Sequence, residues 1–152
     1  MTTRTLDAPP DLDRRDETAW LDEMAGLAQA GLAQDLDLPG LAEYLSDMAE
    51  RDRREVESRL VVLLMHLLNW GGQPGQRSRG WRATVIEQRQ ELARLAVGGT
   101  LRNHAEAVLA DVYAEAVERA AAESGLSADR FPSACPYTVA ELLVIDLTAI
   151  DA

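Results

Sequence analysis

The chain has 152 residues, a formal net charge of −11, 47% hydrophobic and 27% charged residues. That length supports one domain of common size with a true core, and the composition is that of a globular protein rather than a disordered one. The longest apolar run, Leu60 to Leu68 with His66 inside it, is far short of the about 20 residues a bilayer helix needs, so no membrane partner is expected.

The elements read as helices throughout. There are 24 Ala and 22 Leu against 10 Val and 3 Ile, a balance that favours helix over strand. Residues 1–13, with Pro9-Pro10 and no periodicity, read as a disordered arm ahead of one helical domain over 14–147, with 148–152 as a tail. A first helix is predicted from Asp16 to Ala30, with Trp20/Leu21, Met24, Leu27/Ala28 and Leu32 as its apolar face and Gly31 at its end. Asp37-Leu38-Pro39 opens a second, with Asp37 as the cap. An unbroken helix from Pro39 to Trp70 would span about 48 Å, so a break is expected near Ala49 to Asp52. Leu60 to Leu68 is apolar on every side, as a central helix is, and reads as the hub of the core.

Gly71, Gly72, Pro74 and Gly75 form a loop, and Ser78 caps a third helix with Trp81, Val85, Leu92 and Leu95 on one side, ended by Gly98-Gly99. A fourth runs from Leu101 to Ser124 with Gly125 beyond it, on a stripe of Leu101, Ala105, Val108/Leu109, Val112, Ala116/Val117 and Ala120. After a Pro-rich loop, Thr138 and Glu141 are spaced as a capping box for a short fifth helix reaching about Leu143. The expected fold is all-α, a compact bundle of four main helices plus a short C-terminal helix.

The rest of the composition removes chemistries. All 15 basic residues are Arg, so no lysine Schiff base, pyridoxal enzyme or phosphate-loop lysine is available. Cys135 is the single cysteine, which excludes an intramolecular disulfide and a multi-cysteine zinc site. Met1 to Glu17 is acidic and has no apolar centre, so no signal peptide is expected there and the protein reads as cytoplasmic. No cofactor is expected. Glu43, Asp47 and Glu50 share a helix face, but a solvated surface explains them better than a metal site, and no metal is expected.

Charge is segregated. Residues 1–57 carry −9, residues 58–102 carry +5 and residues 103–152 carry −7. No acid occurs from Ser58 to Ile86, a stretch that contains Gln76-Arg77-Ser78-Arg79-Gly80-Trp81-Arg82. Arg77, Arg79 and Arg82 at a helix N-terminus, with Trp81 able to stack, are candidates for an anion or nucleic-acid site. The competing reading pairs these arginines with the protein's own acidic flanks, and the net charge repels a polyanion. His66 is a candidate polar site within the core if Glu55 or Gln73 partners it; otherwise it is a core histidine with one satisfied nitrogen. His104 is expected to be exposed. Cys135 would need a histidine base to act as a nucleophile, and is otherwise a buried structural thiol.

Several stretches together resemble the bacterial family called domain of unknown function 29. They are Ala19-Trp20, Leu36-Asp37, Leu41-Ala42-Glu43, Glu57-Ser58-Arg59-Leu60 through His66 and Trp70 to Gln73-Pro74, Arg77-Ser78-Arg79, Trp81-Arg82-Ala83-Thr84, Phe131-Pro132 and Cys135-Pro136-Tyr137-Thr138. The resemblance implies a small all-helical protein and implies no activity or ligand. It draws attention to the positions of His66, Arg77, Arg79, Trp81 and Arg82. Three functions follow as expectations. The first is a non-catalytic module that binds another protein or itself. The alternatives are anion or nucleic-acid binding through Arg77 to Arg82, and an enzyme built on His66 with nearby acids or Cys135.

Overall fold

The computed structural model describes residues 16–96 and 98–150, with side chains described as far as Thr148. The helices are α1 (Glu17–Gln29), α2 (Leu38–Gly72), α3 (Arg79–Leu95), α4 (Gly99–Ser124), α5 (Val139–Leu142) and α6 (Leu147–Ile150), with 3₁₀ turns at Ala33–Asp35, Pro74–Gln76 and Ala128–Arg130. No strand occurs among the described residues, and the fold is all-α. Contacts group the chain into two compact units, one up to Asp47 and one from Met48 onward.

The first unit is a helical hairpin. Asp16 accepts from the Ala19 amide at 3.1 Å to start α1, and Gly31 turns the chain at φ 73°, a conformation that favours glycine. The start of α2 is built as expected: Asp37 Oδ1 accepts from the Gly40 amide at 3.1 Å. Asp37 also donates its own amide to Met24 Sδ at 3.4 Å, which ties the entry of α2 to α1. Trp20 meets Tyr44 edge to face at 5.8 Å. A side chain at Gly40 would stand 2.2 Å from Asp37 Oδ2 and 3.1 Å from the Trp20 ring, so this position needs glycine for the close approach. Met24 is the buried residue of α1.

The expected break near Ala49 to Asp52 is absent: α2 is continuous for 35 residues, about 52 Å long. Neither Gly nor Pro occurs between Leu41 and Trp70, and the charged stretch supports itself on the helix surface. Glu50 pairs with Arg53 at 3.0 Å and Glu55 with Arg59 at 2.9 Å, at helical spacings of three and four. Good helix formers with solvated i,i+4 pairs need no interruption.

The second unit is organised on the later half of α2. Val56, Leu60, Val61, Leu63, Leu64, Leu67, Leu68 and Trp70 are all buried, so the run that is apolar on every side is indeed the hub. Around it stand Val85 and Leu92 of α3, Val112 and Tyr113 of α4, Phe131, Val139 and Leu142 of α5, and Leu147. Helix α4 presents Ala105, Ala116 and Ala120 to the core, small residues that let a helix approach closely. The Gly98-Gly99 pair does not end α3, as its spacing suggested. Helix α3 stops at Leu95 with Ala96 as its cap, and Gly98 is the N-cap residue of α4. Gly125 ends α4 at φ 74°, and Thr138 and Glu141 make both halves of the capping box before α5. Residues 148–150, expected as tail, continue a helical turn that begins at buried Leu147; apolar burial there extends order past α5. The expected arm of residues 1–13 and the tail residues 151–152 lie outside the described residues.

Candidate functional site

The basic stretch resolves into separate environments. Trp70 sits in the last turn of α2 with its carbonyl among the four that a helix end leaves without an internal partner. Arg77 Nε donates to that carbonyl at 2.9 Å, and the Arg77 guanidinium lies 4.8 Å from the centre of the Trp70 ring. Arg82 approaches the same ring at 5.9 Å. Two cations therefore gather on one buried indole at the negative end of a helix dipole. Ser78, between them in sequence, accepts from the Trp81 amide at 3.1 Å and starts α3. The turn between α2 and α3 is thus clasped by the residues proposed for ligand binding.

Arg79 differs. It is exposed and has no hydrogen-bonded or ionic partner among the described residues. Trp81 is half-buried and packs against the core. Among the described residues, neither Arg79 nor Arg82 forms an ion pair with the acidic flanks. Near Arg82 and Arg89 lies Asp146, whose carboxyl is held below the usual aspartate range first by hydrogen bonds from Thr148, and further by those two arginines. Arg89 donates to the Ile145 carbonyl at 2.7 Å. Trp70, Arg89 and Asp146 went unnoticed as polar anchors in the sequence. Trp70 reads there as core, and a backbone carbonyl as the target of an arginine leaves no sequence signal.

His66 is half-buried, and its Nδ1 lies 2.8 Å from the Val62 carbonyl one turn earlier. That contact requires the Nδ1–H tautomer in the neutral ring. Neither Glu55 nor Gln73 partners it; Glu55 is engaged by Arg59. His104, expected to be exposed, is half-buried, with Nε2 3.8 Å from Glu57. Glu43, Asp47 and Glu50 are exposed, and among the described residues no group of three or more His, Cys, Asp and Glu stands close enough to hold a metal.

A groove of about 640 Å³ runs between α4 and the Pro-rich loop and is lined in part by Leu109, Tyr113, Val117, Pro132, Cys135 and Tyr137. His66 does not line it. Tyr113 donates its hydroxyl to the Pro132 carbonyl at 2.5 Å, and the Cys135 thiol donates to the Tyr137 carbonyl at 3.3 Å. Burial pushes the Cys135 thiol and the Tyr113 and Tyr137 hydroxyls up from their ordinary values. A nucleophilic cysteine needs the opposite shift. A second, smaller cleft of about 340 Å³ lies between α2 and α4, where Arg54, Glu57, Asp111 and Arg119 line it and Arg119 pairs with Glu115 at 2.7 Å. Mixed charges at the rim and valines at the floor describe an ordinary groove between packed helices.

No helix of the described residues is long and apolar enough to cross a membrane. Neither a curated protein nor a solved structure matches the chain. A family model does, over residues 12–147, which is most of the chain and includes both α1 and the Trp70 clasp. On that match the chain belongs to the family described as domain of unknown function DUF29.

Proposed function

We propose that the protein is a non-catalytic, cytoplasmic interaction module that binds a protein partner through its N-terminal hairpin. One observation carries the reading. From Glu17 to Asp47 the chain buries a single side chain, Met24, while Leu38 is 63% and Leu45 61% exposed. These two leucines lie seven residues apart, two turns along one face of α2. Apolar side chains at that spacing and exposure are the pattern of a helix awaiting a partner. The rest of the molecule supports the reading by what it lacks. His66 bonds its own helix, the Cys135 thiol is shifted away from reactivity, and Arg77 and Arg82 are engaged at Trp70. Anion binding through this stretch would rest on Arg79 and Arg82, which are both exposed.

The test compares capture from a native lysate by wild type, by Leu38→Asp/Leu45→Asp and by Arg77→Ala/Arg79→Ala/Arg82→Ala. A discrete protein held by wild type and the arginine variant, and lost from the leucine variant, supports the hairpin. Nucleic acid held only while the arginines are present moves the function to the basic stretch.

A further inference from the structure

Resting on that reading, we infer that the hairpin's occupant is a cationic amphipathic helix of another protein. The argument has two parts. The first is shape. Helices α1 and α2 meet along one seam, marked by Met24 beneath Asp37 and Trp20 against Tyr44. A pair of helices has one seam to fill, whereas this pair carries ten large apolar side chains between residues 16 and 47. Leu38 and Leu45 face away from that seam, roughly 100–160° around α2 from the Gly40 and Tyr44 positions, and leave that side of α2 open to a third helix. A partner with leucine-like residues two turns apart meets both in register.

The second part is charge. Residues 16–47 hold eight carboxylates and neither Arg nor Lys. All but Asp37 are exposed, and Asp37 is committed to the Gly40 amide. A surface of one sign attracts its opposite over roughly a Debye length, about 8 Å at physiological salt. A second copy of the chain docking hairpin to hairpin would bring two such carboxylate sets together with no cation between them. An anionic surface, whether nucleic acid or acidic lipid, is repelled for the same reason. A helix with leucines on one face and Lys or Arg on the other satisfies both the apolar stripe and the field.

The experiment uses the full chain and a synthetic helical peptide of about 18 residues, five turns, with Leu at heptad spacing and Lys elsewhere. Two controls keep its length: one with Glu in place of Lys, and one with the Leu and Lys order scrambled. Titration calorimetry reads affinity and stoichiometry. The expected result is one peptide bound per chain, weakened about tenfold or more by raised salt and by Leu38→Asp/Leu45→Asp, and unchanged by Arg77→Ala/Arg79→Ala/Arg82→Ala. Leu38→Gln/Leu45→Gln, which keeps helix propensity, serves as the second variant and is expected to weaken binding in the same direction. Absence of binding by the cationic helix overturns the inference, as does equal binding of the scrambled peptide, which would be attraction by charge alone. If the Glu peptide binds instead and is lost with the leucines, the cationic partner is wrong and the hairpin still stands as the docking face. If no peptide depends on Leu38 and Leu45, both fall.

Discussion

Residues 16–47 and residues 56–70 each carry ten large apolar side chains, yet the first segment buries one of them and the second buries eight. The difference lies in what surrounds each helix. The later half of α2 is enclosed by α3, α4, Phe131, α5 and Leu147, so apolar residues on every side find a neighbour. The hairpin has one seam between two helices, and it leaves Leu32, Leu38 and Leu45 exposed. Apolar content therefore measures how much core a segment is able to form, while the number of packed neighbours decides how much it does form.

Four changes sharpen or break this contrast. The largest effect belongs to the hub. Leu64, with no exposed surface, should lose about 2–5 kcal/mol on Leu64→Ala in denaturant unfolding, whereas Leu45→Ala should stay within about 0.5 kcal/mol. Comparable losses at the two sites would show that the hairpin face is covered in solution and would undo the contrast. Next comes the clasp at the end of the hub. Arg77→Ala removes a charged donor from the Trp70 carbonyl and should cost about 1.5–3 kcal/mol; Arg77→Lys should not restore it, because an ammonium lacks the planar fork. Arg79→Ala, at an exposed position, should leave the melting temperature unchanged.

The hairpin's own order is tested at Gly40. A methyl group there displaces the Asp37 carboxylate from its cap, a loss of about 1 kcal/mol. Asp37→Ala/Gly40→Ala should then cost no more than Asp37→Ala alone; additive costs would mean that the Trp20 contact, not the cap, is what the methyl disturbs. The smallest effect concerns pH. The Asp146 carboxyl, lowered in the folded state, contributes its contacts above the ordinary aspartate range and loses them as pH falls through its folded value. An NMR titration should place its midpoint below that of an ordinary aspartate, about 3.9. At the alkaline end Cys135, raised by burial, should alkylate more slowly than an unstructured cysteine at mildly basic pH. Reaction at the unstructured rate would reopen a catalytic role for the groove it lines.

Much of the fold was legible because it depends on local rules. Asp37, Ser78, Gly125 and the Thr138–Glu141 box each act within a few residues of themselves, and each cap stands where its spacing placed it. The break in α2 misled because unusual length was weighed above composition; without Gly or Pro, a charged stretch is no reason to stop a helix. Gly98-Gly99 misled because glycine suits either side of a helix boundary. The candidate site was less legible. Arg77, Arg79 and Arg82 are one cluster in sequence, but in space Arg77 and Arg82 approach the Trp70 ring while Arg79 is exposed. Arg77 and Arg82 meet an indole ring, Arg77 a backbone carbonyl and Arg82 a distant aspartate, and of these charge counting can see only the aspartate.

By itself, the sequence determined the all-α class, the helix boundaries set by caps, the central position of Leu60 to Leu68 and the loss of lysine and disulfide chemistry. These follow from side-chain type and from contacts within a turn or two of helix. Only the tertiary structure decided that the Arg77–Arg82 stretch clasps Trp70, that His66 turns to its own helix, and that the acidic hairpin leaves Leu38 and Leu45 bare. Those outcomes depend on which surfaces the packing of distant segments covers, and such packing is a property of the folded chain that no local spacing encodes.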